Sequence, residues 1–206
     1  MRQKNIVYFS GVHGTGKSTL IETLLERAPE LYIEYQKMKI PKRDDESERA
    51  KVRIARFYLQ GFYQEKLAEE NPEKIILCDR SLLDDYAYTN GFLRLGWLTE
   101  KEVEDLNTAR EIMFYPDRKP DNVVLLFPSL EETIANIKRR WKTEPIKWRE
   151  DNFEYLAAVR QEHQKFFEKY PGNVLKIETM DLDERARLSH KWMQELATPK
   201  AQRLAG

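Results

Sequence analysis

The chain has 206 residues, of which 41% are apolar, and it carries equal numbers of basic and acidic side chains. This length favours one domain with a sizeable core. A net charge of zero argues against a nucleic-acid polymer or a membrane surface as the main partner. The single cysteine, Cys78, cannot form an internal disulfide and fits a reducing, cytoplasmic location. The apolar run at 6–9 is too short for a signal peptide, and no stretch approaches a transmembrane helix.

Apolar runs and helical patterns alternate along the chain. Five short apolar runs are predicted to be strands, at 6–9, 31–35, 75–78, 123–127 and 174–177. Seven segments are predicted to be helices, at 18–27, 48–70, 82–93, 100–114, 131–141, 152–170 and 183–196. Short apolar strands that alternate with helices are typical of an α/β fold, in which a parallel sheet is covered on both faces. We expect one domain over 1–197 and a flexible tail at 198–206.

Residues 11–18 match the complete pattern G-x-x-x-x-G-K-[ST] of a phosphate-binding loop (P-loop). The loop stands between a predicted strand and a predicted helix, the context in which backbone N–H groups and a helix N-terminus bind phosphate. The alternative is a glycine-rich turn without a ligand. The pattern predicts ATP and Mg²⁺ as cofactors, with Lys17 on the β- and γ-phosphates and Ser18 on the metal. The residues expected to contact the nucleotide are Gly11, His13, Gly14, Thr15, Gly16, Lys17, Ser18 and Thr19.

An acidic residue follows the third predicted strand. Asp79 comes directly after the apolar run 75–78, and Arg80 and Ser81 follow it. Open α/β sheets bind ligands at the carboxyl ends of their strands. We therefore expect Asp79 to lie near Ser18 and to hold Mg²⁺ or one of its waters. An acid that caps a turn is the alternative interpretation.

The order of these motifs resembles the deoxynucleoside kinases and, more distantly, the thymidylate kinases. Residues 79–86, Asp-Arg-Ser-Leu-Leu-Asp-Asp-Tyr, are similar to the [DE]-R-S-x-x-x-D segment of the deoxynucleoside kinases, and the likeness extends over nearly the whole chain. It implies a P-loop NTPase fold with a five-stranded parallel sheet of order 2-3-1-4-5 and helices on both faces. It also implies that Arg80 contacts the acceptor and the phosphate path, and that Asp85 meets the base.

Two further positions match the same family. Residues 57–60, Phe-Tyr-Leu-Gln, are similar to its F-x-x-Q motif, which implies that Gln60 pairs with the nucleobase. The polar face of an amphipathic helix is the alternative. Glu34 ends the second predicted strand, where the family has the glutamate that accepts the proton of the 5′-hydroxyl group.

The basic segment 138–142 lies where the family has its lid, which we place around residues 138–150. Aligned from Ser129, the family's lid pattern R-x-x-x-R-x-R falls on Asn136, Arg140 and Lys142. One arginine is therefore absent and one is replaced by lysine, which grips phosphate less well than a bidentate guanidinium group. A cationic helix end is the alternative for this segment.

The expected function is ATP-dependent phosphoryl transfer to the 5′-hydroxyl group of a deoxynucleoside. Two alternatives stay open: a thymidylate kinase-like nucleoside monophosphate kinase, and a P-loop protein that binds nucleotide without transferring phosphate. The partner is a small nucleoside or nucleotide, and aromatic residues on the helices at 48–70 and 82–93 mark either a homodimer face or core. The expected catalytic residues are Lys17, Glu34, Asp79, Arg80 and Arg140. The expected acceptor contacts are Glu34, Gln60, Arg80 and Asp85, and the expected metal ligands are Ser18 and Asp79.

Overall fold

A computed structural model describes residues 5–39, 45–113, 120–147 and 149–197. Within these residues five strands alternate with seven helices. The strands are β1 (Ile6–Ser10), β2 (Tyr32–Tyr35), β3 (Ile75–Asp79), β4 (Asn122–Leu126) and β5 (Asn173–Ile177). The helices are α1 (Lys17–Arg27), α2 (Glu46–Glu70), α3 (Leu82–Arg94), α4 (Glu100–Met113), α5 (Leu130–Arg140), α6 (Phe153–Phe167) and α7 (Leu182–Ala197). Every predicted strand and helix is thus present in the expected order.

The five strands form one parallel sheet of order β2-β3-β1-β4-β5, which confirms the predicted fold class. The central strand β1 pairs with β3 on one side and with β4 on the other, so that Phe9 lies opposite Asp79 and Ser10 opposite Leu125. The chain returns across β1 between β3 and β4, and such a switch in strand order opens a crevice at the carboxyl ends of the strands. The phosphate loop begins at that crevice, after the end of β1, and Asp79 lies there at the end of β3.

Side chains of β1 alternate between the two faces of the sheet because successive residues of a strand point in opposite directions. On one face, Val7 and Phe9 pack in a cluster with side chains of α1 and α7, among them Leu20 and Met193. On the other face, Ile6 packs with Ala68 of α2, Ile76 and the buried Cys78. A neighbouring cluster on β4 joins Val123 and Leu125 to Leu83 of α3 and Phe167 of α6. Both faces are therefore covered, as continuous apolar strands require.

Capping side chains set the helix ends. Ser129 caps α5 through a reciprocal bond with Glu132. The second helix begins at Glu46, two residues before its predicted start, because the Asp45 side chain accepts a hydrogen bond from the backbone N–H of Glu48 at 2.7 Å. The end of the predicted helix at 114 and the predicted tail at 198–206 lie outside the described residues.

Aromatic side chains on the second and third helices differ in exposure. Tyr88 and Phe92 of α3 belong to the core, whereas Phe62 and Tyr63 of α2 are exposed. The homodimer stays a prediction. None of the described helices is both long enough and apolar enough to span a membrane.

Candidate active site

The phosphate loop connects β1 to α1, and distant side chains hold its backbone. Asn136 of α5 donates from Nδ2 to the carbonyl oxygen of Gly14 at 2.7 Å, and Arg185 of α7 donates from Nη1 to that of Thr15 at 2.5 Å. In a trans peptide the carbonyl group and the next N–H group point in opposite directions. The two bonds therefore fix the orientation of the N–H groups of Thr15 and Gly16, the kind of group with which such a loop binds phosphate.

Glycine is required at the start of the loop. Gly11 has a φ of +136°, and a Cβ atom added there would lie 2.5 Å from the carbonyl oxygen of Leu126. Any other residue would clash with β4 and strain the backbone. The first position of the motif is thus needed for the close packing of the loop against the sheet.

Lys17 is buried in the loop to which it belongs. Its ammonium group donates to the carbonyl oxygens of Gly11 at 2.8 Å and Val12 at 2.7 Å. Burial lowers the pKa of Lys17 well below its ordinary value, and the positive charge of Arg80 lowers it further. An anion bound beside the ammonium group would raise that pKa again, so the site favours a negatively charged ligand.

Asp79 ends β3 beside the loop, and its two carboxylate oxygens differ. Oδ2 accepts a hydrogen bond from Nζ of Lys37 at 2.9 Å, whereas Oδ1 is buried without a donor among the described residues. Burial raises the pKa of Asp79, but Lys37, Lys17 and Arg80 outweigh burial, so that the net pKa lies below its ordinary value. The carboxylate is therefore ionised at neutral pH.

The chemistry of this corner fits Mg²⁺. The buried Oδ1 atom of Asp79 has no partner in the described part of the chain, and a bound ion or one of its waters would satisfy it. Ser18 and Asp79 line one cavity, which opens in front of the phosphate loop. The described part of the chain contains no group of three or more His, Cys, Asp or Glu side chains that could hold a metal by themselves. Phosphate oxygens and water would therefore supply the remaining ligands.

Arg80 bridges the loop and α3 from a strained backbone position. Its φ of 73° lies in the left-handed region, which is uncommon for a residue other than glycine and is often found at functional sites. Nη1 donates to the carbonyl oxygen of Gly11 at 3.0 Å, and the guanidinium carbon lies 4.9 Å from the ring centre of Tyr88. These contacts aim the side chain toward the space in front of the loop.

Asp84 is the buried acceptor that ties these parts together. Its carboxylate accepts hydrogen bonds from Ser10 Oγ at 2.8 Å, Gly11 N at 3.2 Å, Ser81 N at 3.1 Å and Arg80 Nη1 at 3.3 Å. His163 of α6 also contacts this carboxylate, with Nε2 at 3.2 Å from Oδ1. One side chain thus joins the end of β1, the start of the loop and the N-terminus of α3.

A cavity of about 970 Å³ opens in front of the loop. Besides Gly14, Gly16, Lys17, Ser18 and Thr19, its lining includes Asp79, Arg80 and three residues of the predicted lid, Arg140, Lys142 and Glu150. We call it the donor cavity. Its size and its cationic lining suit a nucleoside triphosphate.

A buried carboxylate, that of Glu150, holds the side of the donor cavity that the predicted lid lines. Arg140 forms an ion pair with Glu150, and Glu150 also accepts from the backbone N–H of Lys147 at 3.2 Å. His13 lies 3.6 Å from Glu150, but burial lowers the pKa of His13 well below its ordinary value, so the contact is not an ion pair at neutral pH. Asn136 contacts Gly14, and it therefore positions the loop.

A second, smaller cavity of about 200 Å³ lies between α2 and α3 and shares His13, Lys37 and Arg80 with the donor cavity. We call it the acceptor cavity. Five cationic side chains and two carboxylates line it: Lys37, Arg49, Arg53, Arg56, Arg80, Asp84 and Asp85. The two cavities meet beside the phosphate loop, where a donor and an acceptor could react.

The three residues predicted to contact the acceptor's base or hydroxyl group lie in different surroundings. Asp85 lines the acceptor cavity, but its carboxylate is already paired with Arg53 and with Arg110, whose Nη2 atom lies 2.6 Å away. Gln60 is buried and lines neither cavity. Glu34 also lines neither cavity and accepts a hydrogen bond from Gln36 at 3.0 Å.

Several residues of the site were not predicted from the sequence. Lys37 and Arg185 reach the site only through the tertiary fold, and no sequence spacing links them to Asp79 or Thr15. The arginines of α2 did leave a signal, because residues 49, 53 and 56 recur at helical spacing and so lie on one face. That face was missed because the sequence does not show whether it points toward the site or toward solvent.

Comparisons with known proteins agree with this architecture. Three solved structures of deoxyadenosine kinase from M. mycoides share the fold, and each covers 92% of this chain and 99% of its own. The structure with bound dATP is 16% identical, with a TM-score of 0.64. The structure with bound dCTP and that with the products dCMP and a flexible dCDP are each 17% identical, with TM-scores of 0.63 and 0.62. The predicted resemblance is thus confirmed at the level of the fold.

A comparison with curated proteins finds no significant match. A family model described as an AAA domain matches residues 6–185, which include the phosphate loop, Asp79 and the basic segment 138–142. The chain therefore belongs to the AAA domain family of P-loop proteins.

Proposed function

We propose that this protein is an ATP-dependent kinase that transfers the γ-phosphoryl group to a nucleoside-type acceptor. The observation that carries the proposal is the junction of the donor and acceptor cavities at His13, Lys37 and Arg80. A phosphotransferase must bring two ligands together with the reacting atoms in line, and most of its catalysis comes from position and charge.

Residues that line the donor cavity have separate roles in this proposal. Lys17 and Arg80 balance charge on the γ-phosphoryl group, and Arg140 of the lid joins them once it leaves Glu150. Ser18 and Asp79 hold Mg²⁺, which supplies further positive charge on the phosphates. The loop N–H groups orient the donor, and the lid excludes water from the reacting atoms.

The family resemblance points to the 5′-hydroxyl group of a deoxynucleoside as the attacking group. A neutral hydroxyl group must lose its proton during transfer, and a placed carboxylate accelerates such a step by about 10²–10⁴-fold. If the acceptor is a deoxynucleoside, the candidate for this carboxylate is Glu34, and Glu34→Gln should then lower kcat by that factor and change KM little. Glu30→Gln, at an exposed position before β2, is the matched control.

The test is ATP turnover with the four deoxynucleosides and their 5′-monophosphates. Turnover of deoxynucleosides that depends on Glu34 supports the deoxynucleoside kinase. Turnover of monophosphates alone, with Glu34→Gln near wild type, supports the nucleoside monophosphate kinase, the alternative that the cationic acceptor cavity favours. ATP binding without transfer to any acceptor supports the non-catalytic P-loop protein instead.

A further inference from the structure

Three arginines of α2 share one face of the helix and line the acceptor cavity. The spacing is four positions from Arg49 to Arg53 and three positions from Arg53 to Arg56. This spacing places the three side chains on the same face of α2. Arg80 and Lys37 approach the cavity from the loop side. Five cations therefore surround a space of about 200 Å³, which is a costly arrangement unless anions balance it.

Each of the two carboxylates of the cavity is paired with one of the cavity's own cations and with groups of the surrounding fold. Asp85 pairs with both Arg53 and Arg110, and Arg110 is fully buried. Asp84 accepts from the backbone N–H groups of Gly11 and Ser81, among other donors. These acids therefore balance Arg53 and Arg80, and Asp79 balances Lys37. Among the described residues, the cavity cation left without an ion pair is Arg56.

Arg56 is the cation that shows this lack of balance. It is 9% exposed, and its Nε atom is buried without a hydrogen-bond acceptor among the residues that the structure describes. No ion pair to Arg56 is present within the described ranges 5–39, 45–113, 120–147 and 149–197. Burial lowers its pKa to about 10, and the positive charges of Arg80 and Arg53 contribute in the same direction. An anion in the cavity would satisfy the buried N–H group and relieve this repulsion.

We propose that the acceptor carries a phosphomonoester and that Arg56, with Arg49 and Arg80, binds this group in the acceptor cavity. This inference rests on the proposed kinase function and names its substrate class as nucleoside 5′-monophosphates rather than neutral nucleosides. Guanidinium groups suit this role because each can donate two parallel hydrogen bonds to two oxygens of one phosphate group. The acceptor phosphate would thereby reach the junction of the two cavities.

The chemistry of transfer is balanced for such an acceptor. An oxygen of the acceptor phosphate forms a bond to the γ-phosphorus of ATP, while the bond from that phosphorus to the β,γ-bridging oxygen breaks and its electron pair leaves with ADP. The attacking oxygen is already ionised at neutral pH, so no carboxylate has to remove a proton. This agrees with the position of Glu34 outside both cavities.

The test measures acceptor binding after the donor cavity has been filled with a non-hydrolysable ATP analogue and Mg²⁺. Calorimetric titration of the four deoxynucleosides and their 5′-monophosphates should show tighter binding of the monophosphates by at least about tenfold. Arg56→Gln should weaken monophosphate binding by about 10- to 100-fold and leave nucleoside binding unchanged. Arg56→Lys should restore part of the loss, because it keeps the charge without the paired geometry.

Arg94→Gln is the matched control, since Arg94 is half exposed, pairs with Glu162 and lines neither cavity. Thermal melting of each variant reports whether it is folded. Equal affinity for nucleosides and monophosphates would overturn the inference, as would a loss at Arg56→Gln that is the same for both classes.

The outcome also separates this inference from the kinase proposal. Monophosphate binding that depends on Arg56 but is never followed by transfer from ATP would support the phosphate site and contradict the kinase. Transfer to nucleosides without monophosphate binding would support the kinase and overturn the phosphate site. If the ATP analogue itself does not bind, the dependence of monophosphate binding on Arg56 still decides the inference.

Discussion

Replacement of Asp84 by asparagine should destabilise the protein strongly, although the two side chains have the same shape. The carboxylate accepts from Ser10, Gly11 and Ser81 at 2.8 to 3.2 Å and faces Arg80 and His163. The asparagine amide keeps one acceptor oxygen, but its NH₂ group would face hydrogen-bond donors that the carboxylate accepts from. The substitution also removes the negative charge. Loss of one partner of a buried ion pair typically costs about 3–5 kcal/mol, which is a large part of a domain's usual stability.

The pH dependence provides a second test of the same carboxylate. Burial alone would raise the pKa of Asp84, but the hydrogen bond from His163 and the charge of Arg80 hold it far below its ordinary value. A depressed folded-state pKa stabilises the fold above the unfolded-state pKa of about 3.9, and the effect is lost as the pH falls toward the folded-state pKa. The stability difference between wild type and Asp84→Asn should therefore be full above about pH 5 and shrink below about pH 4.

Urea denaturation followed by circular dichroism measures both effects. Asp105→Asn is the control, because Asp105 is 61% exposed and pairs with Lys101 at the surface, where ion pairs contribute at most about 1 kcal/mol. A loss for Asp84→Asn of under about 1 kcal/mol at pH 7, similar to the control, would refute the central place that we give to Asp84.

Two further variants test the donor cavity. Lys17→Ala should lower phosphoryl transfer at least about 10²-fold without unfolding the chain, because it removes the cation of the loop; normal turnover by a folded variant would contradict this role. Asp79→Asn should raise the Mg²⁺ concentration needed for half-maximal activity by about 10- to 100-fold, because an amide is a weaker ligand partner than a carboxylate. An unchanged Mg²⁺ titration curve for Asp79→Asn would contradict the role of Asp79 in Mg²⁺ binding.

The fold could be predicted because its signals are local. All five residues of β4 are buried, and the four that follow Asn122 are apolar, which predicts their burial directly. The start of α2 was misplaced because the cap at Asp45 lies inside a charged run that is equally typical of a loop. The strand order came from the family resemblance, since local apolar patterns do not specify which strands are neighbours.

The site could be predicted only where its residues form contiguous motifs. The phosphate loop and Asp79 follow strands directly, so sequence position places them at the same edge of the sheet. Lys37, Arg185 and His163 act through contacts with residues that are 42, 170 and 79 positions away in the chain, and no spacing reports such contacts. Their roles depend on how the helices pack on the sheet.

The central claim is that the chain transfers phosphate from ATP to an acceptor held beside the loop. Its most direct test is a ³¹P NMR time course of the full chain with ATP, Mg²⁺ and each deoxynucleoside or 5′-monophosphate. We predict that ADP and one phosphorylated acceptor accumulate in equal amounts, and that neither forms with Lys17→Ala. Stable ATP with every acceptor, in a sample that binds the nucleotide, would contradict the claim.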